Sequence, residues 1–340
     1  MIRRGLVGVA LLLTVAIATA AASARSGGPV TLNVYSGQHP DTVAALAKAF
    51  EAKSGIHVNV LSNTDSQLAT LIVLQGSASP ADVFVAENSP ALEVMEQRGL
   101  LSKVASSTLA KIPSKYNSPN GYWLAMAAHA SVLVYNTSAL KPSQLPGSIL
   151  ALATPKWSRK LAVAPSETDF QPIVIAVARK VGDARAVEWL KGLRANAEGN
   201  VYSNNGDIVA QVNSGHAAIA VIDPYYWFQL KNFQGPHLTH SAIEQLAPGD
   251  PGYIVDVSGA AIVKSSKHQA QDQQFLAFMA SKQGQEALTQ GKSYEYPLIP
   301  GVSASKALYP WSKLQPDPIT PAQLGDGSTA LTLLQQSGLL

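Results

Sequence analysis

The stretch Thr31-Leu32-Asn33-Val34-Tyr35-Ser36-Gly37-Gln38-His39-Pro40-Asp41-Thr42-Val43-Ala44-Ala45-Leu46-Ala47-Lys48-Ala49-Phe50 decides the fold. Residues 31–35 alternate β-branched, aromatic and polar side chains and read as a strand. Ser36 to His39 form a loop. Pro40 and Asp41 open an amphipathic helix that carries Val43, Leu46, Ala47 and Phe50 on one face, and Gly55 ends it. Residues 56–60 are the next strand, a helix follows around 66–75, and residues 81–85 are a third strand. Strand, helix, strand in this rhythm predicts a parallel sheet covered by helices.

Outward from that unit the rhythm changes near Tyr122. Residues 121–130 are small and apolar and run into a strand at 131–135, while Pro142, Pro146 and Gly147 mark a loop. A second α/β section follows: strand 161–163, helices 170–181, 184–193 and 208–213, strand 217–222. Another extended stretch lies at 252–263, before a helix at 267–281. The pattern predicts an α/β protein of two lobes joined by two extended crossings, near residues 125–133 and 253–262. Lobe 1 takes residues 30–128 plus 258–305, and lobe 2 takes 129–257 plus 306–340. A cleft between two such lobes, beyond the carboxyl ends of strands, is where these folds hold ligands.

Composition narrows the function. The 340-residue chain is 46% hydrophobic and only 14% charged, enough for a large core and unlike a disordered chain. Its net charge of +3 is dispersed, with no Lys/Arg run of the kind that binds nucleic acid. Residues 1–24 read as a cleavable signal peptide: Arg3 and Arg4, the apolar run from Leu6 to Ala20, and Ala22-Ser23-Ala24 as the cleavage site. An uncleaved membrane anchor is the alternative. Cleavage after Ala24 would lower the charge to +1. The chain has no cysteine, which excludes disulfides, a cysteine-linked lipid anchor, iron–sulfur clusters and zinc-thiolate sites. Any metal must therefore take oxygen and imidazole ligands. Export without an anchor points to the periplasm.

The second informative stretch is Ala217-Ala218-Ile219-Ala220-Val221-Ile222-Asp223-Pro224-Tyr225-Tyr226-Trp227. Adjacent residues on a strand face opposite ways, so paired tyrosines there could not share an ion. Asp223 as N-cap and Pro224 as first helical residue would instead put both phenols in the first turn of a helix, about 100° apart. His39, Glu87 and Tyr225/Tyr226 all follow directly on predicted strands, the first two in one lobe and the tyrosines in the other. Two phenolates and Glu87 would balance a ferric ion, and neutral His39 adds a nitrogen donor. Two of six octahedral positions then remain for water or a small anion. Each residue also has a plainer reading: Tyr-Tyr-Trp as a partly buried aromatic cluster, His39 as a residue beside a helix start, Glu87 as a loop acid or cap.

These residues carry a resemblance to the ferric-ion-binding periplasmic proteins of ABC importers, within the type 2 periplasmic binding-protein fold. It runs from about Leu32 to the C-terminus. Its markers are residues 34–39, residues 79–84 leading to Glu87, Ala153-Thr154-Pro155-Lys156-Trp157, Tyr225-Tyr226-Trp227 and Ser258-Gly259-Ala260-Ala261. The resemblance implies His39, Glu87, Tyr225 and Tyr226 as iron ligands, a monomer, and delivery to a membrane permease driven by an ATPase. The anion-binding part departs from the phosphate-using members. Residues 165–170 replace a small Ser-Gly-Ala stretch, Asn205 matches one asparagine, Asp223 stands where another would be, and His129 replaces an arginine. Glu167, Thr168 and Asp169 thereby join the candidate anion or outer-shell residues. The added acids would repel phosphate, so another anion, water or one of these carboxylates would complete the iron sphere. Asp223 reads equally as a helix cap, and Glu167 and Asp169 as solvated acids at the cleft rim. No Gly-x-Ser-x-Gly, His-Glu-x-x-His or phosphate-loop motif points to an enzyme. A binding protein for an organic cation or phosphonate, and an exported iron-dependent hydrolase or oxidase, are the alternatives.

Overall fold

The computed structural model describes residues 30–290 and 292–340. The signal segment read at residues 1–24 lies outside them. The chain opens as its first stretch predicts. Strand β1 (Thr31–Ser36) leads through the Gly37 loop to helix α1 (Pro40–Ser54), with proline in the first turn and Val43, Leu46, Ala47 and Phe50 buried. Gly55, at a left-handed φ of 71°, ends the helix by donating its N–H to Glu51 O. Strand β2 (His57–Ser62), helix α2 (Asp65–Gln75), strand β3 (Val83–Ala86) and helix α3 (Ser89–Gln97) follow. β2 and β3 both pair with β1 in parallel.

The sheet is nevertheless mixed. After the short β4 (Leu101–Ser102) and α4 (Ser106–Leu109), strand β5 (Trp123–Ala130) enters it beside β9 (Val255–Val263), and both are buried along their whole lengths. β9 pairs antiparallel with β3, β4 and β5, because it arrives from the opposite lobe. A second sheet carries β6 (Val132–Asn136) between β7 (Ile219–Ile222) and β8 (Ser241–Glu244), all antiparallel. The predicted strand at 161–163 reduces to two isolated parallel bridges, Leu161 to Ile219 and Val163 to Val201. Its apolar residues are buried but do not extend the ladder.

Helices α5 (Phe170–Val181), α6 (Asp183–Asn196), α7 (Asn205–Ser214) and α8 (Pro224–Gln234) belong to the second sheet's side. α9 (Gln269–Met279) and α10 (Lys282–Gln290) return to the first, where β10 (Tyr296–Pro297) pairs with β5. The single helix expected at 267–281 is thus shorter and is followed by a second one. The tail ends in α11 (Pro321–Leu324) and α12 (Ser328–Ser337), the latter packed on α5 and α6.

Two strands make the crossing. β5 runs into β6 through Ser131, and the returning chain passes it at Ile254. Ser131 N donates to Ile254 O at 3.1 Å, Ile254 N donates to Ser131 Oγ at 3.0 Å, and that hydroxyl donates to Gly252 O at 2.6 Å. The two backbones are stitched where they pass between the sheets.

Candidate metal-binding cleft

His39 is the residue before α1, at the carboxyl end of β1, and its side chain makes no capping bond. Glu87 follows β3. Its position is set by Asp65, whose buried carboxylate accepts the N–H groups of Glu87 and Asn88, both at 3.0 Å. Burial pushes the Asp65 carboxyl up to about 7. Gly37 makes this possible: a Cβ there would lie 1.8 Å from Asp65 Oδ1. Neither Asp65 nor the reason for Gly37 was legible in the sequence, because Asp65 reaches Glu87 only through the fold.

On the other lobe, Asp223 caps α8 as expected: its Oδ1 accepts from Tyr225 N at 2.8 Å, with Pro224 as the first helical residue. Tyr225 and Tyr226 then stand nearly perpendicular, ring centroids 5.3 Å apart. Tyr225 is buried and its hydroxyl oxygen accepts from Gln229 Nε2, one turn on.

The two halves meet. The His39 ring stacks on Tyr225 with centroids 3.3 Å apart and lies 5.5 Å from the Tyr226 ring. His39 Nε2 is 2.8 Å from Glu87 Oε1, yet both ring nitrogens lack an aligned hydrogen-bond partner. Tyr226 Oη lies 3.5 Å from that same carboxylate oxygen. Donor atoms of all types needed for a hard cation thus face one small volume.

Electrostatics fit a cation there. Burial raises Glu87 well above the usual carboxylate range, helped by Asp223 and Asp65. Burial likewise lifts both phenols, with Asp41 and Glu87 adding to Tyr225 and Glu87 and Asp169 to Tyr226. Burial holds the His39 imidazole below its ordinary range, against the pull of Asp223 and Glu295. Burial therefore favours the uncharged form of each of these groups.

Behind this cluster the outer residues form a polar web. Asn88 Nδ2 donates to Asp169 Oδ1 at 2.8 Å and to Thr168 Oγ1 at 3.3 Å. Asn205 donates its side chain to Asp169 Oδ2 at 2.6 Å and its backbone N–H to Glu167 Oε2 at 3.1 Å. Asp169 is therefore buried between two amides rather than solvated, whereas Glu167 and Thr168 keep part of their surface in solvent. His129 Nε2 sits 3.2 Å from Asn88 Oδ1, and its Nδ1 faces Asp223 Oδ2 at 3.8 Å and Glu295 Oε1 at 3.7 Å. Glu295 is a residue the sequence reading missed: it comes from the loop before β10 and is held by Gln38 and Ser258.

Comparison with known proteins identifies the family. Residues 36–286 match the bacterial extracellular solute-binding protein family. The Fe(3+)-binding periplasmic protein of Serratia marcescens is 35% identical over 328 residues, spanning 96% of this chain and 95% of the relative. The crystal structure of iron-bound HitA from Pseudomonas aeruginosa superposes with a TM-score of 0.87 at 41% identity, covering 91% of this chain and 100% of that one. A Trichodesmium protein (IdiA, FutA) in complex with iron and citrate gives a TM-score of 0.79 at 28% identity, over 91% and 99% of the two chains. These are binding proteins, not enzymes. The chain belongs to the bacterial extracellular solute-binding proteins, in the family of the ferric-iron-binding periplasmic proteins with the type 2 fold.

Proposed function

We propose that this protein captures ferric iron in its interlobe cleft, through His39, Glu87 and the phenolates of Tyr225 and Tyr226. The observation that carries the reading is the 2.8 Å approach of the His39 nitrogen to the Glu87 oxygen without a hydrogen bond, beneath two phenols from the other lobe. A buried imidazole left without a hydrogen bond this close to a carboxylate is accounted for when a cation belongs between them. Glu87 and two phenolates neutralise a trivalent ion, so the loaded site buries no net charge. The iron-bound and iron-named relatives support the same cargo.

Four ligands leave two octahedral positions. The amide and backbone donors of Asn205 are already taken by Asp169 and Glu167, and those acids would repel phosphate. Another small anion, water or one of the chain's own carboxylates completes the sphere. The loaded protein, a monomer exported to the periplasm by its leader, would hand iron to an ABC permease and its ATPase. Lobe 1 (30–128 plus 258–305) and lobe 2 (129–257 plus 306–340) would open and close about the crossings at Ser131 and Ile254.

Adding ferric iron to the metal-free mature protein should produce an intense visible band from phenolate-to-iron charge transfer. The band should weaken in Tyr225→Phe or Tyr226→Phe and vanish in the double variant. A colourless complex would sink the ferric reading, and a band that forms only when phosphate is added would sink the view of the anion.

A further inference from the structure

Ferric iron balances Glu87 and the two phenolates, but it leaves a second charge cluster unanswered. Asp169, Asp223, Asp256 and Glu295 are all buried around His129, and among the described residues no lysine or arginine pairs with any of them. Ligand atoms of His129, Asp169 and Asp223 lie within 4.8 Å of one another. His129 is 6% exposed and Asp223 2%, yet His129 Nδ1 and Asp223 Oδ2 have no hydrogen-bond partner and face each other at 3.8 Å. A cavity of about 30 Å³ touches all three residues, along with Asn88, Asn205 and Asp256, and most of its remaining wall is apolar. That is room for roughly two water-sized guests.

The surrounding bonds orient these donors. Asn88 donates its amide to Asp169, so its carbonyl oxygen must face His129. His129 Nε2 therefore carries the proton it donates to Asn88, and its Nδ1 lone pair is turned toward the acids. Asp169 is braced by two amides and Asp223 by the Tyr225 N–H. Each donor thus has an outer partner and keeps an outward lone pair, which is how metal ligands are supported. A divalent ion at roughly 2.1 Å from each would space its ligands roughly 3–4 Å apart, an inward shift of about 1 Å or less.

We propose that His129 Nδ1, Asp223 Oδ2 and the Asp169 carboxylate form a second, buried site for a divalent cation of hard or borderline type, separate from the His39/Glu87/Tyr225/Tyr226 set. Imidazole with carboxylates and no thiolate fits manganese(II) and its neighbours.

Manganese(II) is the probe, read by loss of its free-ion electron paramagnetic resonance signal. The iron-loaded wild type should bind one equivalent, and so should His39→Ala, in which the first ligand set is broken. Binding should weaken by about 100-fold or more in Asp169→Asn and in Asp223→Asn. Asp223→Asn keeps an amide oxygen for the helix cap, so its fold can be checked by its melting temperature. Electron spin-echo modulation of manganese in His39→Ala should show one imidazole nitrogen, and this needs no change at the new site. A free-ion signal undiminished in both proteins, affinity untouched by both asparagine variants, or bound manganese without imidazole coupling would each overturn the proposal. Because His39→Ala cannot assemble the first set, the outcome is independent of whether the visible ferric band forms.

Discussion

Tyr225 and Tyr226 are neutral phenols in the metal-free chain, since burial and neighbouring carboxylates lift both above the ordinary tyrosine range. Removing either hydroxyl should cost more than removal of an outer-shell partner, which typically lowers metal affinity 10–100-fold. Tyr225→Phe and Tyr226→Phe should each weaken ferric binding by more than about 100-fold in competition with a chelator, while Gln229→Leu, which removes only the donor to Tyr225, should fall within the outer-shell range. Equal losses in all three would mean the phenols are not ligands. Gly37 illustrates what a single chain does not disclose. Its role is steric: any side chain would strike Asp65 Oδ1 and disturb the carboxylate that holds Glu87. Gly37→Ala should destabilise the protein by about 2 kcal/mol, the cost of overpacking a filled interior, measured as a shift in denaturation midpoint.

At the scale of elements, α8 was legible because local chemistry dictates it. Asp223 and Pro224 form a cap and first-turn pair that needs no tertiary partner, so the placement of both tyrosines followed from neighbouring residues. Asp223→Ala should lower stability by about 1 kcal/mol, whereas Asp223→Asn should be nearly neutral for the cap; comparing their melting temperatures separates the cap from any role of the free Oδ2. The strand expected at 161–163 failed for the opposite reason. A three-residue apolar run cannot announce whether a ladder partner exists, and here Leu161 and Val163 find only one bridge each. The acid web was half legible: Glu167, Asp169 and Asp223 stood out as charges in unusual places, but Asp169 was open to reading as a solvated rim acid. Its burial depends on Asn88 and Asn205 closing over it from opposite lobes. Glu295 enters from a loop more than two hundred and fifty residues beyond Gln38, its partner, and nothing local marks it.

The whole molecule concentrates buried acids at the cleft, and this should make the metal-free protein and its proposed iron complex respond differently to pH. Burial raises Glu87, Asp169, Asp223 and Asp256, and sets Asp65 at about 7. Each of these carboxyls keeps its proton in the folded chain over a range where the unfolded chain has lost it. Folding stability from them therefore falls as pH rises from about 4 through their folded values. His129 acts in the same direction: its folded value is raised by Asp223 and Glu295 against burial, so its contribution is full below about 6.5 and fades above. Among these cleft groups His39 acts oppositely, because burial lowers it and acid must charge it. The metal-free melting temperature should thus fall from about pH 5 to about pH 8. In the proposed site ferric iron would require deprotonated Glu87, Tyr225 and Tyr226, so its stabilisation should grow over the same interval as fewer protons need displacing. The gap between loaded and metal-free melting temperatures should widen steadily with pH, read by thermal unfolding of both forms in one buffer series. A metal-free melting temperature that climbs across this interval would show that the cleft acids are ionised and paired in the empty protein, and a gap that narrows would show that iron binds without displacing phenolic protons.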